Sequence, residues 1–170
     1  LYKLDENDTP QPDLAETTEV SDDGRTYTMT LRQDAKWTNG EPVTAHDFVF
    51  SYQTICSKEA ASSYAFIVYD NLLNGNEVYE GTMDPSELGV KALDDYTLEV
   101  TFENPIPYAE HLFSFASYYP VNQKAYEEIG ADVYGDDADK IVTNGAYTIS
   151  EWTHNDHITL TKNEDFYDPD

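Results

Sequence analysis

Three pairs of short segments that alternate apolar and polar residues constrain this fold more than any other feature. In the first pair, a turn at residues 21–24 precedes the stretch 27–32, where Tyr27, Met29 and Leu31 share one face. Alternation with a period of two indicates a strand with one face in the core and one in water. Strands joined by so short a turn predict an antiparallel hairpin.

Two further hairpins follow from the same alternation. The segments involved are 90–92 with 98–102, and 145–152 with 157–163. Each pair surrounds a short polar turn, so the strands are expected to run antiparallel. Sheet built from local hairpins differs from the parallel sheet of a βαβ fold, in which strands and helices alternate.

Helical segments are expected between these hairpins. Apolar residues recur at helical spacing in four stretches, 45–56, 62–75, 108–115 and 123–129. Thr44 with Asp47 forms a capping box before the first of them, and Asn122 is a suitable N-cap for the last. Phe66 and Phe115 are expected to pack on the apolar faces of their helices. The sequence therefore predicts an α+β fold of mainly antiparallel hairpins with packed helices.

The charge of the chain excludes several classes of partner. It has 34 Asp and Glu against 9 Lys and Arg, a net charge of −25. A nucleic-acid partner needs a basic surface, and so does docking on anionic lipid. Membrane insertion by this segment is not expected either, since no apolar stretch approaches the ~20 residues of a span. Solubility through self-repulsion and a preference for cationic ligands both remain open as explanations.

Side chains that could support catalysis or hold a metal form only weak patterns. The acidic loop 132–139 could bind calcium or stay solvated, and its spacing does not match an EF-hand. His154 and His157 flank a turn, where they could bind zinc with a third ligand or lie exposed. His111 beside Glu110 offers parts of a catalytic triad without a nucleophile motif. No catalytic residue, metal site or cofactor is therefore predicted.

Three single residues, Cys56, Trp37 and Tyr64, could have either a structural or a functional role. Cys56 lies in an apolar stretch and is expected to be a buried, unreactive thiol. Trp37 either stacks on a ligand or anchors the turn at residues 39–40. Tyr64 precedes the second predicted helix, so its ring either packs in the core or projects over a ligand.

Long runs of the sequence resemble one known family. The runs are LAE at 14–16, VS at 20–21, DGRTYT at 23–28, LR at 31–32, KWTNGEPVTAHDF at 36–48, LGVKALDDYTLEV at 88–100, PIPY at 105–108, VTNGAY at 142–147 and Tyr167. They resemble the family 5 extracellular solute-binding proteins, and within them the oligopeptide-binding branch. The resemblance covers nearly the whole chain.

The resemblance implies a fold and an organisation of domains. Members of this family have a two-lobe fold like that of the class II periplasmic binding proteins, and this chain corresponds to part of the first lobe. Residues 1–140 would form an extra subdomain of that lobe, and 141–170 a hairpin that returns to its main part. The second lobe is expected to be absent, and the start at Leu1 suggests a piece of a longer protein.

The resemblance also implies a function. The family captures oligopeptides outside the cell, in the periplasm or as a cell-surface lipoprotein, and delivers them to the permease subunits of an ABC importer without chemistry. Other members carry nickel, haem, sugars or opines, and this alternative stays open. Tyr64, in Ser-Ser-Tyr-Ala, matches the family's Ser-Pro-Tyr-Ala step, whose tyrosine touches the bound peptide. Tyr64 is therefore the expected substrate-binding residue, and Ser63 stands where the family has proline.

Overall fold

The computed structural model describes residues 1–168, and these divide into two compact units. The first consists of Leu1–Arg32 and Thr44–Pro120, and the second of Gln33–Val43 and the chain from Val121 onward. The mixture of helices and antiparallel sheet confirms the predicted α+β class. The predicted domain boundary at residue 140 stays a prediction. The last two residues of the predicted hairpin segment 141–170, residues 169 and 170, lie outside the described residues.

Antiparallel strands and short helices make up the first unit. Its strands are β1 (Tyr2–Leu4), β2 (Pro10–Pro12), β3 (Ala15–Val20), β4 (Thr26–Leu31), β5 (Val90–Asp94) and β6 (Thr97–Thr101). Its α-helices are α1 (Ala45–Ile55), α2 (Phe66–Tyr69), α3 (Gly75–Glu80) and α4 (Ala109–Phe113). Single 3₁₀ turns at Pro85–Glu87 and Ala116–Tyr118 complete it.

A four-stranded antiparallel sheet in the order β3-β4-β6-β5 forms the centre of this unit. The first two predicted hairpins are both present, and they meet where β4 pairs with β6. Met29 lies opposite Leu98 and Tyr27 opposite Val100, and all four side chains are buried. The period-two pattern therefore sets the register as well as the strands, because a slip of one residue would expose these side chains.

Both edges of this sheet are interrupted. A β-bulge between Ala15 and Thr17 disturbs the outer strand β3, whose Glu16 is exposed. A second irregularity lies between Ala92 and Asp94 in β5. Bulges and charged side chains on edge strands make pairing with another strand less favourable.

Helix α1 packs on strands β5 and β6. Its predicted capping box is present, and the Thr44 N–H donates to Asp47 Oδ2 at 2.8 Å. Phe48 and Tyr52 are fully buried on its inner face, and Cys56 is buried directly after its end. The prediction of a buried thiol is therefore confirmed, and this burial raises the pKa of Cys56 to about 12, which disfavours the reactive thiolate.

The second predicted helix, 62–75, is wrong in its extent. Its helical residues are Phe66–Tyr69 and its last residue, Gly75, where a separate helix begins instead of the predicted one ending. Asn74 lies between them in the left-handed region, with φ +60°. Asparagine tolerates that conformation better than most residues, and this permits the change of direction.

Residues between these two helices join the sheet. Leu72 forms an isolated antiparallel bridge with Phe102, and the Leu73 N–H donates to the Thr101 carbonyl (2.9 Å). Gly89 N–H donates to Leu73 (2.9 Å) and its carbonyl accepts from Thr101 (2.8 Å). Three backbone segments thus bond to one another at Gly89, and this tertiary pairing overrides the helical spacing of the apolar residues.

The second unit contains a turn, a helix and a hairpin. Its elements are α5 (Gln123–Ile129), a 3₁₀ turn at Ala138–Lys140, and the paired strands β7 (Tyr147–Thr153) and β8 (His157–Lys162). The third predicted hairpin is therefore confirmed. The cap of α5 is confirmed too, since Asn122 Oδ1 accepts from the Ala125 N–H at 2.7 Å.

Glu41 connects the turn of this unit to its helix α5. One carboxylate oxygen accepts from Lys124 Nζ (2.7 Å), and the other accepts from the side-chain amides of Asn122 and Asn39 (3.0 Å each). These hydrogen bonds, chiefly those from Lys124 and Asn122, lower the pKa of Glu41 to about 2. The charged form of Glu41 therefore favours the folded state.

Substitution of Gly89 by alanine should destabilise the protein. The added Cβ would contact the Thr101 carbonyl oxygen and come within 2.8 Å of Leu73 Cβ, so we expect a loss of about 1–3 kcal/mol in unfolding free energy, as in other overpacked sites. Urea unfolding measures it. Gly145→Ala is the matched control, because nothing lies within 4 Å of its added Cβ. Equal stability of the two variants would contradict the crowded junction.

Glu41 should stabilise the protein in a pH-dependent manner. Its folded pKa of about 2 lies below its ordinary value of 4.5, so the stabilisation is present above pH 4.5 and is lost as the pH falls toward 2. The stability difference between wild type and Glu41→Gln should shrink between pH 6 and pH 3. Glu16→Gln, at an exposed strand edge, controls for loss of a charge, and a constant difference at Glu41 would refute the coupling.

Candidate ligand-binding site

Tyr64 lies two residues before α2 with 58% of its surface exposed. The chain reaches it through Ala61, whose φ of +47° reverses the backbone direction. The Tyr64 N–H donates to Ser62 Oγ (3.3 Å), and its carbonyl accepts from the Ile67 N–H (3.1 Å). Core packing, one of the two interpretations of this residue, is therefore excluded, and the ring faces solvent.

Two other exposed aromatic rings contact Tyr64. The ring of Phe66 is stacked at 6.4 Å between centroids with an angle of 26°, and that of Phe115 is tilted at 6.3 Å and 56°. Phe66 is 47% exposed and Phe115 is 41% exposed. We call Tyr64, Phe66 and Phe115 the aromatic ledge. Exposed apolar patches of this kind mark surfaces that bind something.

The prediction that Phe66 and Phe115 pack on the apolar faces of their helices is wrong, because both rings are largely exposed. In α2 the inner position belongs to Val68, which is fully buried. Around Phe115 the interior is occupied by Phe113 and Tyr118, also fully buried. Phe113 and Phe115 are two residues apart, and residues at that spacing do not share one face of a helix. That spacing is the sequence signal from which the exposed ring could have been found.

Hydrogen bonds tie the segment that carries Tyr64 and Phe66 to the rest of the first unit. The Ile67 carbonyl accepts from the Tyr118 hydroxyl (3.0 Å) and from Asn71 Nδ2 (2.9 Å). The Tyr52 hydroxyl in turn donates to the Tyr118 carbonyl (3.1 Å). Burial raises the pKa of Tyr52 and Tyr118 well above the ordinary value of 10, so both phenols remain neutral donors. The segment that carries two of the three ledge rings is thereby tied to the core.

The other candidate side chains are dispersed among separate partners. His154 Nε2 lies 3.9 Å from Asp137, while His157 lies 3.2 Å from Asp156 and 3.5 Å from Glu151. Asp137 also caps the 3₁₀ turn through the Ala138 N–H. Within residues 1–168, no three His, Cys, Asp or Glu side chains are grouped as a metal ion would require.

Trp37 is buried, and its N–H donates to the Glu41 carbonyl (2.8 Å), which confirms the interpretation as a turn anchor. Ser114, near His111, donates its hydroxyl to the His111 backbone carbonyl (2.8 Å) rather than to the imidazole. The ledge is therefore the strongest candidate site in the part of the chain that the structure describes.

Comparison of the sequence with known proteins identifies one family. Residues 9–170 match the family model described as bacterial extracellular solute-binding proteins, family 5 Middle. The chain is 42% identical over 160 residues to the periplasmic oligopeptide-binding protein OppA of Salmonella typhimurium, and the match covers 94% of this chain and 29% of that protein.

Comparison with solved structures points to the same family. The substrate-binding domain of an oligopeptide ABC transporter from Bacillus anthracis superposes with a TM-score of 0.95 at 44% identity, over 98% of this chain and 32% of that one. Listeria monocytogenes OppA bound to peptide gives a TM-score of 0.94 at 39% identity, over 99% and 33%. The chain thus spans about a third of the length of these relatives, and its fold agrees with theirs.

Loss of the Tyr118 hydroxyl should loosen the segment beneath the ledge. Tyr118→Phe removes one donor to the Ile67 carbonyl, so we expect about 1 kcal/mol less stability and faster amide exchange in residues 66–70. Hydrogen–deuterium exchange measures the second effect. Tyr52→Phe is the matched control, because it removes a buried phenol bond that does not reach α2. Similar exchange at 66–70 in both variants would show that Tyr118 has no local role.

Proposed function

Because the chain belongs to the bacterial extracellular solute-binding proteins of family 5, we propose that it is part of the substrate-binding component of an ABC importer. The protein would capture oligopeptides outside the cytoplasm, in the periplasm or at the cell surface, and deliver them to the permease subunits. Its role would be binding and transfer, without a chemical step and without a cofactor. None of the helices within residues 1–168 is long and apolar enough to cross a membrane.

Similarity to a peptide-bound relative is the observation that supports a peptide ligand. Listeria OppA carries a peptide, and 99% of the present chain superposes on a third of that protein. Tyr64 is our proposed contact, because its exposed ring offers a flat apolar face that can cover a peptide backbone of any sequence. A hydroxyl at the edge of the same ring can bond to the peptide or to water.

Capture by this protein would be a two-state process. An extended peptide would lie between two lobes with its backbone paired to protein N–H and C=O groups. Residues 1–140 would contribute a subdomain of the first lobe, and the hairpin β7–β8 would lead back to its main part. Closure over the peptide would shift the population toward a form that the permease recognises.

Peptide binding can be tested on the full-length protein by calorimetry with a mixture of short peptides. We expect binding, and we expect Tyr64→Ala to weaken it about tenfold, since a buried aromatic contact at an interface is worth about 1–2 kcal/mol. Tyr147→Ala is the matched control, because Tyr147 is equally exposed, at 59%, but lies on the hairpin β7–β8.

Three outcomes distinguish the parts of this proposal. Binding of a nickel complex, haem, a sugar or an opine in place of peptides would replace the ligand class and keep the transport role. Wild-type affinity in Tyr64→Ala would remove Tyr64 from the site and keep the function. Failure to bind any of these solutes would refute the function.

A further inference from the structure

We propose that the step from Asn144 to Gly145 is a modification site, at which the asparagine side chain is converted spontaneously to aspartate or isoaspartate. The inference does not depend on the proposed function, because the reaction needs only water. It has two supports. The sequence contains three Asn-Gly steps, and the hydrogen bonds of the structure protect two of them and leave this one open.

The reaction takes place between two neighbouring residues of the chain. The Gly145 amide nitrogen, after giving its proton to hydroxide, attacks Cγ of Asn144. The new C–N bond closes a five-membered succinimide ring, and the side-chain nitrogen leaves as ammonia. Water then opens the ring at either carbonyl, which gives aspartate or isoaspartate. Glycine favours the attack because no Cβ stands beside the attacking nitrogen.

The turn at Asn39 and Gly40 has the same chemistry, and the structure protects it. Asn39 Oδ1 accepts from the Glu41 N–H, and Asn39 Nδ2 donates to Glu41 Oε2, both at 3.0 Å. The Gly40 N–H, which would be the attacking group, donates to the Trp37 carbonyl at 2.8 Å. Attack at this step therefore requires hydrogen bonds of both reacting groups to open first.

Asn74 and Gly75 are protected in a similar way. Asn74 Nδ2 donates to the Glu87 carbonyl at 2.7 Å, and the Gly75 N–H donates to the Leu72 carbonyl at 3.0 Å. Gly75 is also buried and is the first residue of α3. The start of that helix would have to unwind before the nitrogen could turn toward the side chain.

Neither reacting group of the third step is held. Among the hydrogen bonds of residues 1–168, none involves the Asn144 side chain or the Gly145 N–H. The step is half-buried and lies outside regular structure, shortly before β7. Nothing lies within 4 Å of a Cβ built on Gly145, so its nitrogen has room to turn. The reaction can therefore begin from the folded state.

The open step lies between two anchored points of the second unit. Before it, the Thr38 N–H donates to the Thr143 carbonyl (2.8 Å), and the Thr143 N–H donates to Thr38 Oγ1 (3.2 Å). After it, the Gly145 carbonyl accepts from Asn163 Nδ2 (2.9 Å), at the base of the hairpin β7–β8. Isoaspartate adds one methylene group to the backbone between these points. Modification should therefore loosen the connection between the turn and the hairpin.

The experiment follows all three Asn-Gly steps in one sample of the full-length protein. The protein is incubated at neutral pH, peptide mapping by mass spectrometry measures conversion over time, and an isoaspartyl methyltransferase detects isoaspartate. We expect Asn144 to convert at least about tenfold faster than Asn39 or Asn74, since each of those must first break two or more hydrogen bonds. In urea, where these bonds are lost, the three rates should become similar.

Two variants test the local chemistry. Gly145→Ala places a Cβ beside the attacking nitrogen without meeting another group, so conversion of Asn144 should slow severalfold while the other two steps are unaffected. Asn144→Gln should prevent the reaction there, because its ring would need six members. Hydrogen–deuterium exchange in residues 147–162 should become faster in aged wild type and stay unchanged in aged Gly145→Ala.

The outcomes that contradict the proposal are equally specific. Equal rates at the three steps of the folded protein, or faster conversion at Asn39 or Asn74, would overturn it. An unchanged rate at Asn144 in Gly145→Ala would overturn it as well. Unchanged exchange in aged wild type would refute the loosening of the hairpin and keep Asn144 as the modified residue.

Discussion

The packing of Phe113 against four other aromatic rings is the interaction on which the first unit depends. Its ring lies 6.2 Å from that of Tyr2, 5.5 Å from Tyr27, 5.7 Å from Phe102 and 5.9 Å from Tyr118. These partners come from β1, from β4, from the residue that follows β6 and from the 3₁₀ turn after α4. Edge-to-face and offset contacts of this kind fix orientation as well as distance. One short helix is thereby locked to distant parts of the sequence, and the Tyr118 hydroxyl extends that order to the segment below the ledge.

Much of the fold could be predicted because its signals are local. The alternation around Met29 and Leu98 determines strands, faces and register together, and a turn of a few residues determines that they are antiparallel. The capping box of Thr44 and Asp47 is likewise complete within four residues. The break at Leu72 and Leu73 could not be predicted, because it arises from backbone bonds to strands far along the chain. Apolar residues at helical spacing are equally compatible with a buried segment that forms a short β-bridge, as Leu72 does with Phe102.

The candidate site was less accessible to sequence reasoning than the fold. Tyr64 came from a family resemblance, and the residues alone left core packing open. The sequence places Phe66 and Phe115 in the interior, because an aromatic residue in a helical stretch usually packs there. Their exposure depends on which neighbours fill the core first, Val68 in one segment and Phe113 with Tyr118 in the other. Which side chains fill the interior depends on tertiary packing, and the local sequence does not show that packing.

The two interrupted edges of the central sheet have a consequence for how this unit can meet other extended chains. An extended peptide is a strand without a partner, and a long regular sheet edge would accept it at any register. The bulges in β3 and β5 make such pairing unfavourable along this sheet. Extended chains that met a regular edge could remain there as extra strands. The interruptions in β3 and β5 disfavour such addition, so contacts between this unit and an extended chain are left to surfaces other than the sheet edges.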